Sequence, residues 1–353
     1  MTKIFIVGGT GHIGGAVLDA ICTTYPEVEL TALVRDEQKA NRLVSKYPYV
    51  IPVIGGLNSL ELLKSASESA DIVINAGPDI THDAGIAAII KGLENRSEKG
   101  YYIHTSGGAL IWDEPDGSKP GTKIWDDVAD IDEITSMPEY RTHRQTDKLV
   151  FAASPNVNVA IVSPTILYGL GPSIEHPVPL TIPEILNTVG RISGGFMVSA
   201  GKNLQSYVHV VDLARLYLLL VSYAIDGKES VAGMDLWGPK AYYFGADEEV
   251  GFADFMAALV SVLRKKGMVS NEEITPINVA DAAKAHAGAN AEHAPSLDSW
   301  SMHIAMMYGT DMRVCSTRGK NIGWQPQEPA VRETLEEVVE RYLAEKKGRP
   351  STV

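Results

Sequence analysis

MTKIFIVGGTGHIGGAVLDAI, residues 1–21, decides the fold. Lys3–Val7 is a short apolar run of the β type, and Ala16–Thr23 has helical spacing. Between them lie Gly8-Gly9-Thr10-Gly11-His12-Ile13-Gly14-Gly15. The loop satisfies G-x-G-x-x-G through Gly9, Gly11 and Gly14, and G-x-x-G-x-x-G through Gly8, Gly11 and Gly14. Such a turn needs positive φ, pyrophosphate needs close backbone approach, and the helix must pack on the strand without a Cβ between them. The N–H groups at the helix start then hold phosphate. Strand before and helix after are the context that separates a dinucleotide loop from a merely flexible turn.

Outward from this loop, strand and helix patterns alternate. Leu30–Val34, Asp71–Asn75, Tyr101–Thr105 and Val159–Val162 are further strand candidates. Short apolar strands separated by helices predict an α/β fold, a Rossmann-like doubly wound parallel sheet covered on both faces. Ser206–Val211 is another strand candidate, with Asp212 as the expected N-cap of the apolar helix that follows. Segments 170–206 and 240–310 are less regular and predict a smaller lobe. The expected division is residues 1–165 and 206–238 for the dinucleotide-binding domain and 166–205 and 239–330 for the substrate lobe. A C-terminal helix and tail follow at 331–353, with Val331, Leu335, Val338, Val339, Tyr342 and Leu343 at helical spacing.

The second strand candidate ends at Arg35, where an acid that binds a free ribose 2′-hydroxyl is expected. A guanidinium there suits a 2′-phosphate, so NADP is the expected cofactor and NAD the alternative. Lys39 or Arg42 would add charge, and Asp36 is the competing ribose ligand.

Bulk properties narrow the classes. The chain has 353 residues, 45% hydrophobic and 21% charged, with a net charge of −13. That charge, without any basic block, argues against nucleic-acid binding. No apolar run approaches a membrane span, and the first apolar run is too short for a signal peptide. Cys22 and Cys315 match no metal spacing, and a reduced, cytoplasmic setting is expected. His82, His104, His143, His176 and His209 are scattered, so no metal site is expected. Asp126–Glu133 is expected to be a solvated loop or helix start.

With these residues in view, the chain resembles the extended short-chain dehydrogenase/reductase family, the nucleotide-sugar epimerases and dihydroflavonol-reductase-like enzymes. The resemblance is carried by GGTGHIGG, Asn75-Ala76-Gly77, HTSGGAL at 104–110, PTILYG at 164–169, YVHVVDLA at 207–214 and IGWQP at 322–326. It implies cofactor contacts at Gly8, Thr10, Gly11, His12, Ile13, Gly14, Arg35, Asn75, Ala76, Gly77, Pro164 and Thr165. It also implies that Tyr168-Gly169 shapes the wall beside the nicotinamide. A homodimer through the helices around Ala84–Leu93 and His143–Ala153 is a further implication.

Family chemistry moves a hydride between nicotinamide and a carbinol or carbonyl carbon, using a Tyr-x-x-x-Lys pair and a Ser or Thr. Ser106 matches the hydroxyl position, but the pair is altered in EYRTHRQTDK, residues 139–148. Tyr140-x-x-x-Arg144 would put a phenol and a cation on one helical face. Other registers place His143 at the lysine position, with Asp147 at the following glutamate, or at the tyrosine position. His143 titrates near neutrality and suits proton transfer. The catalytic candidates are therefore Ser106, Tyr140, His143 and Arg144. Ser163 stands where many such proteins carry an arginine phosphate clamp, which points away from a nucleotide-sugar substrate. Gly55-Gly56-Leu57 lacks the acid that often reaches adenine. Three readings follow: an NADP-dependent oxidoreductase or epimerase acting on a small hydroxyl or carbonyl compound; a cofactor-binding regulator without the chemistry; and a non-redox isomerase or lyase.

Overall fold

The computed structural model describes residues 1–288, 295–296 and 298–348. Its centre is a seven-stranded parallel sheet, ordered β7-β6-β5-β4-β1-β2-β3. The strands are β1 (Lys3–Val7), β2 (Glu29–Val34), β3 (Ile51–Ile54), β4 (Ile72–Asn75), β5 (Tyr101–Thr105), β6 (Asn158–Pro164) and β7 (Tyr242–Gly245). Crossovers carry α1 (His12–Thr24), α2 (Glu37–Lys46), α3 (Leu60–Ser69), α4 (Asp83–Glu94) and α5 (Arg144–Ala152).

Alternation along each strand supplies two apolar layers. Phe5, Val7, Val73, Tyr102, Val159, Ile161, Tyr242 and Phe244 face one core. Ile4, Ile6, Ile72, Ile74, Ile103, Ala160, Val162 and Tyr243 face the other. Burying each large side chain contributes about 1.5–3 kcal/mol, so the sheet is held from both sides. Tyr242, Tyr243 and Phe244 are core.

Two strands of this sheet escaped the sequence reading. Ile51–Ile54 carries Pro52 and is partly exposed, as suits the sheet edge. Tyr242–Gly245 lies in the segment assigned to the lobe, yet it pairs with β6 as the opposite edge strand. Residues 242–245 therefore belong to the central sheet.

Outside the central sheet lie α6 (Thr181–Ile192) and a small sheet in which Leu204–His209 pairs with Ile166–Tyr168 and Glu248–Gly251. The helix after that strand, α7 (Val210–Ile225), is capped by His209, which accepts from Val211 N at 3.2 Å. Asp212 is not the N-cap. It is buried in the first turn and accepts from Gln327 N (2.8 Å) and Glu328 N (2.9 Å), pinning the segment before the last helix. That helix, α8 (Val331–Gly348), buries Val331, Leu335, Val338 and Val339; the rest of the expected tail, 349–353, lies outside the described residues.

The acidic run is also less bland than expected. Asp127 is fully buried and accepts from Phe244 N (2.9 Å) and Arg318 N (2.7 Å), tying β7 to the helix Thr317–Asn321. Burial pushes its carboxyl up to about 7.

Candidate active site

The ends of β1, β2, β4 and β5 open into one groove. Its narrower part, about 210 Å³, is lined by Gly8, Thr10, Gly11, Arg35, Lys39, Gly55 and Gly56. Its wider part, about 830 Å³, is lined by Ile13, Asp79, Ser106, His143 and Leu167 among others. Gly11, Ala76, Gly77, Pro78 and His176 border both.

At the narrow end the backbone sets the shape. Gly8 has φ +81°, and a Cβ on it would lie 2.6 Å from the Ala76 backbone. A Cβ on Gly14 would lie 2.2 Å from the Gly8 carbonyl oxygen. Both positions exclude a side chain, which lets α1 begin hard against the strand. The N-cap of α1, Gly11, offers no side-chain cap, so the N–H groups of its first turn keep their capacity for an anion. Asn75 supports the loop from behind: its Oδ1 accepts from Gly77 N at 3.1 Å while its Nδ2 donates to the Tyr102 hydroxyl at 3.2 Å.

Arg35 lies exposed at the groove with Lys39. The rivals have other partners. Asp36 caps α2 by accepting from Lys39 N at 2.8 Å, and Arg42 is paired with Glu175 at 2.5 and 3.0 Å.

The wide end is built from side chains. Ser106 follows β5, is 5% exposed, and donates to Asp147 Oδ2 at 3.1 Å. His143 Nδ1 lies 2.7 Å from Asp79 Oδ2, and Thr146 Oγ1 donates to the same oxygen at 2.9 Å. Among the described residues nothing bonds His143 Nε2. The imidazole lies across the turn after Ser106: a Cβ on Gly107 would come within 2.5 Å of Nε2. His143 itself has φ +70°, a left-handed conformation that costs about 1–3 kcal/mol for such a residue and that clusters at functional sites.

Electrostatics divide these groups into two pairs. Burial presses His143 down, but the hydrogen bond and charge of Asp79, with the charge of Asp147, carry it above the usual histidine value. Burial pushes Asp79 up, yet the bond and charge of His143 hold it below the usual carboxylate range. Burial drives Asp147 up to about 7 against the pull of His143 and Ser106.

The remaining candidates fall elsewhere. Tyr140 is 81% exposed, with the Arg141 guanidinium 5.7 Å from its ring centroid, and it does not line the groove. Arg144 donates to Met137 O at 2.8 Å. The two do not share a helical face, because α5 begins only at Arg144 and the positive φ at His143 turns the chain just before it. Thr165 donates to Gly245 O at 2.8 Å, and Pro164 ends β6; neither borders the groove. Tyr168 is buried, with its hydroxyl on Pro329 O at 3.0 Å, and Leu167 forms the wall instead. His104 is packed between Tyr102 and Asn75, and burial lowers it to about 4.

Residues 8–174 match the family described as NAD(P)H-binding. Over its whole length the chain is similar to an oxidase, ucsJ, from an Acremonium species. They are 29% identical over 360 residues, covering 98% of this chain and 99% of that one. In structure it is similar to dTDP-glucose 4,6-dehydratase of Bacillus anthracis, solved with NAD (TM-score 0.63, 13% identity, 98% of both chains). It is also similar to human epimerase family protein SDR39U1, solved with NADPH (TM-score 0.62, 15% identity, 96% of this chain and 99% of that one).

The fold is the Rossmann-like doubly wound one that these solved structures share.

Within this frame, Asp79 is the functional candidate that sequence reasoning missed. It sits in Gly77-Pro78-Asp79, directly after the recognised Asn75-Ala76-Gly77. An acid fixed by a proline turn beyond a strand end was the available signal. Val178, Leu180, Pro183, Tyr342 and Lys346 also line the wide end, and no local motif marks them.

Proposed function

We propose that this protein is an NADP-dependent oxidoreductase in which His143, oriented by Asp79, exchanges the proton that the resembled family assigns to tyrosine. The observation that carries this is the 2.7 Å bond between His143 Nδ1 and Asp79 Oδ2 at the floor of the groove that begins at the glycine loop. The carboxylate holds the ring in one tautomer and orientation, leaving Nε2 for the reacting hydroxyl. Ser106 lines the same floor and supplies a hydroxyl for the reacting oxygen.

The groove fits a dinucleotide: the turn is closed to side chains at Gly8 and Gly14, and the uncapped start of α1 suits the pyrophosphate. Arg35 and Lys39 suit a 2′-phosphate better than a free 2′-hydroxyl. When bound, the nicotinamide supplies hydride acceptance or delivery at the substrate carbon. Oxidation then needs His143 neutral to take the hydroxyl proton, and reduction needs it protonated to return one.

The substrate is a small, non-nucleotide alcohol or carbonyl compound. Ile13, Leu167, Val178, Leu180 and Pro183 give the wide end apolar walls, and Ser163 is buried rather than presented as a clamp. The similarity to an oxidase and to nucleotide-dependent dehydratase and epimerase folds supports redox chemistry. A proton-transfer pair at the groove floor also favours an enzyme over a regulator that has dropped the chemistry.

His143→Gln is expected to lower kcat/KM by about 10²–10⁴-fold, the usual weight of a general acid–base, while NADPH titration stays unchanged. Tyr140→Phe, a change at an exposed side chain, is expected to leave both within about twofold. Loss of turnover in Tyr140→Phe with activity kept in His143→Gln would reverse the assignment.

A further inference from the structure

We propose that Asp147 is a positioning residue whose protonation state decides whether Ser106 aims its single proton at the substrate or away from it. The inference rests on the roles given above to Ser106 and His143.

A serine hydroxyl has one proton to give. When Asp147 is ionised that proton goes to its Oδ2, 3.1 Å away. So directed, it is not available to an oxygen in the groove. An ionised carboxylate can only accept, so it holds Ser106 turned inward. A protonated Asp147 reverses the bond: the carboxyl donates to Ser106 Oγ, and the serine proton is released toward the reacting oxygen.

The surroundings favour the neutral form. Asp147 is 1% exposed, and its Oδ1 is buried without a hydrogen-bond partner. The Tyr242 hydroxyl on β7 faces Asp147, Ser106 and Ser163, and it and Ser163 Oγ are also buried without bonds of good geometry. Unpartnered buried oxygens are uncommon, and three of them behind one catalytic serine mark a polar pocket, not a packing accident. The charged groups facing Asp147 are His143 and Arg144 at the start of its own helix and Asp79 beyond β4. Burial outweighs the cations among them and carries the carboxyl up to about 7.

In the alcohol-oxidising direction two limbs follow. Activity needs His143 neutral and Asp147 protonated together, so it is lost at low pH through the first and at high pH through the second. Asp147→Asn places a permanent amide donor opposite Ser106 Oγ, so it should remove the falling limb and keep the rising one. Asp147→Ala supplies no donor and should be poorly active at every pH.

The experiment uses the full chain with NADP and a panel of aryl and alkyl secondary alcohols. A second, substrate-free arm is the infrared difference spectrum of wild type against Asp147→Asn. The expected results are a falling limb present in wild type and absent in Asp147→Asn, and a protonated-carboxyl band from Asp147 that disappears as pH rises through neutrality. An unchanged falling limb in Asp147→Asn, or no such band at pH 5, overturns the proposal. If wild type oxidises nothing in the panel while the band is present, the oxidoreductase reading fails and the protonation of Asp147 stands.

Discussion

At the adenosine end of the groove, Gly8, Gly11 and Gly14 act through the backbone, within one strand–helix turn. At the other end Asp79, Ser106, His143 and Asp147 meet only because β4, β5 and α5 lie side by side, and the Asp79–His143 pair spans 64 residues. One end is dictated by what the chain cannot hold, a Cβ at Gly8 or Gly14. The other is dictated by charge taken out of water, where each ionised group needs its partner. The first kind of site is robust to change in the surrounding fold. The second can be rebuilt with different residues, and here it brings together a histidine and two aspartates.

The contrast makes opposite demands on mutants. Ser106→Ala removes a donor at the reacting oxygen, and kcat/KM should fall by about 10²–10³-fold with NADPH affinity unaltered. Equal loss of both would mean that the two ends are not separable. Arg35→Ala removes a charge-assisted contact, worth about 1.5–3 kcal/mol, so NADPH should bind about 10–100-fold more weakly. NADH binding should not change. Equal weakening of both cofactors would return the 2′-position to NAD.

How far the sequence revealed each end follows from the same physics. The loop, five of the seven strands and the closing helix could be read because their signals are contiguous or periodic. Ile51–Ile54 was missed because four residues with a proline at a sheet edge carry little periodicity. Tyr242–Gly245 was missed because its aromatic run lies far along the chain from its neighbour β6. The helical face expected for Tyr140 and Arg144 does not form, and the left-handed turn at His143 leaves Tyr140 in solvent. The contacts of Asp79 with His143 and of Asp147 with Ser106 arise only in the fold, where segments far apart in the sequence meet.

The central claim is that His143 is the proton-transfer group and that Asp79 sets its basicity. The most direct test is the pH dependence of alcohol oxidation in wild type and Asp79→Asn. Asp79 raises the His143 value in the folded protein, so removing its charge must lower it. The rising limb should therefore move to lower pH. A limb that stays in place in Asp79→Asn would show that another group carries the proton.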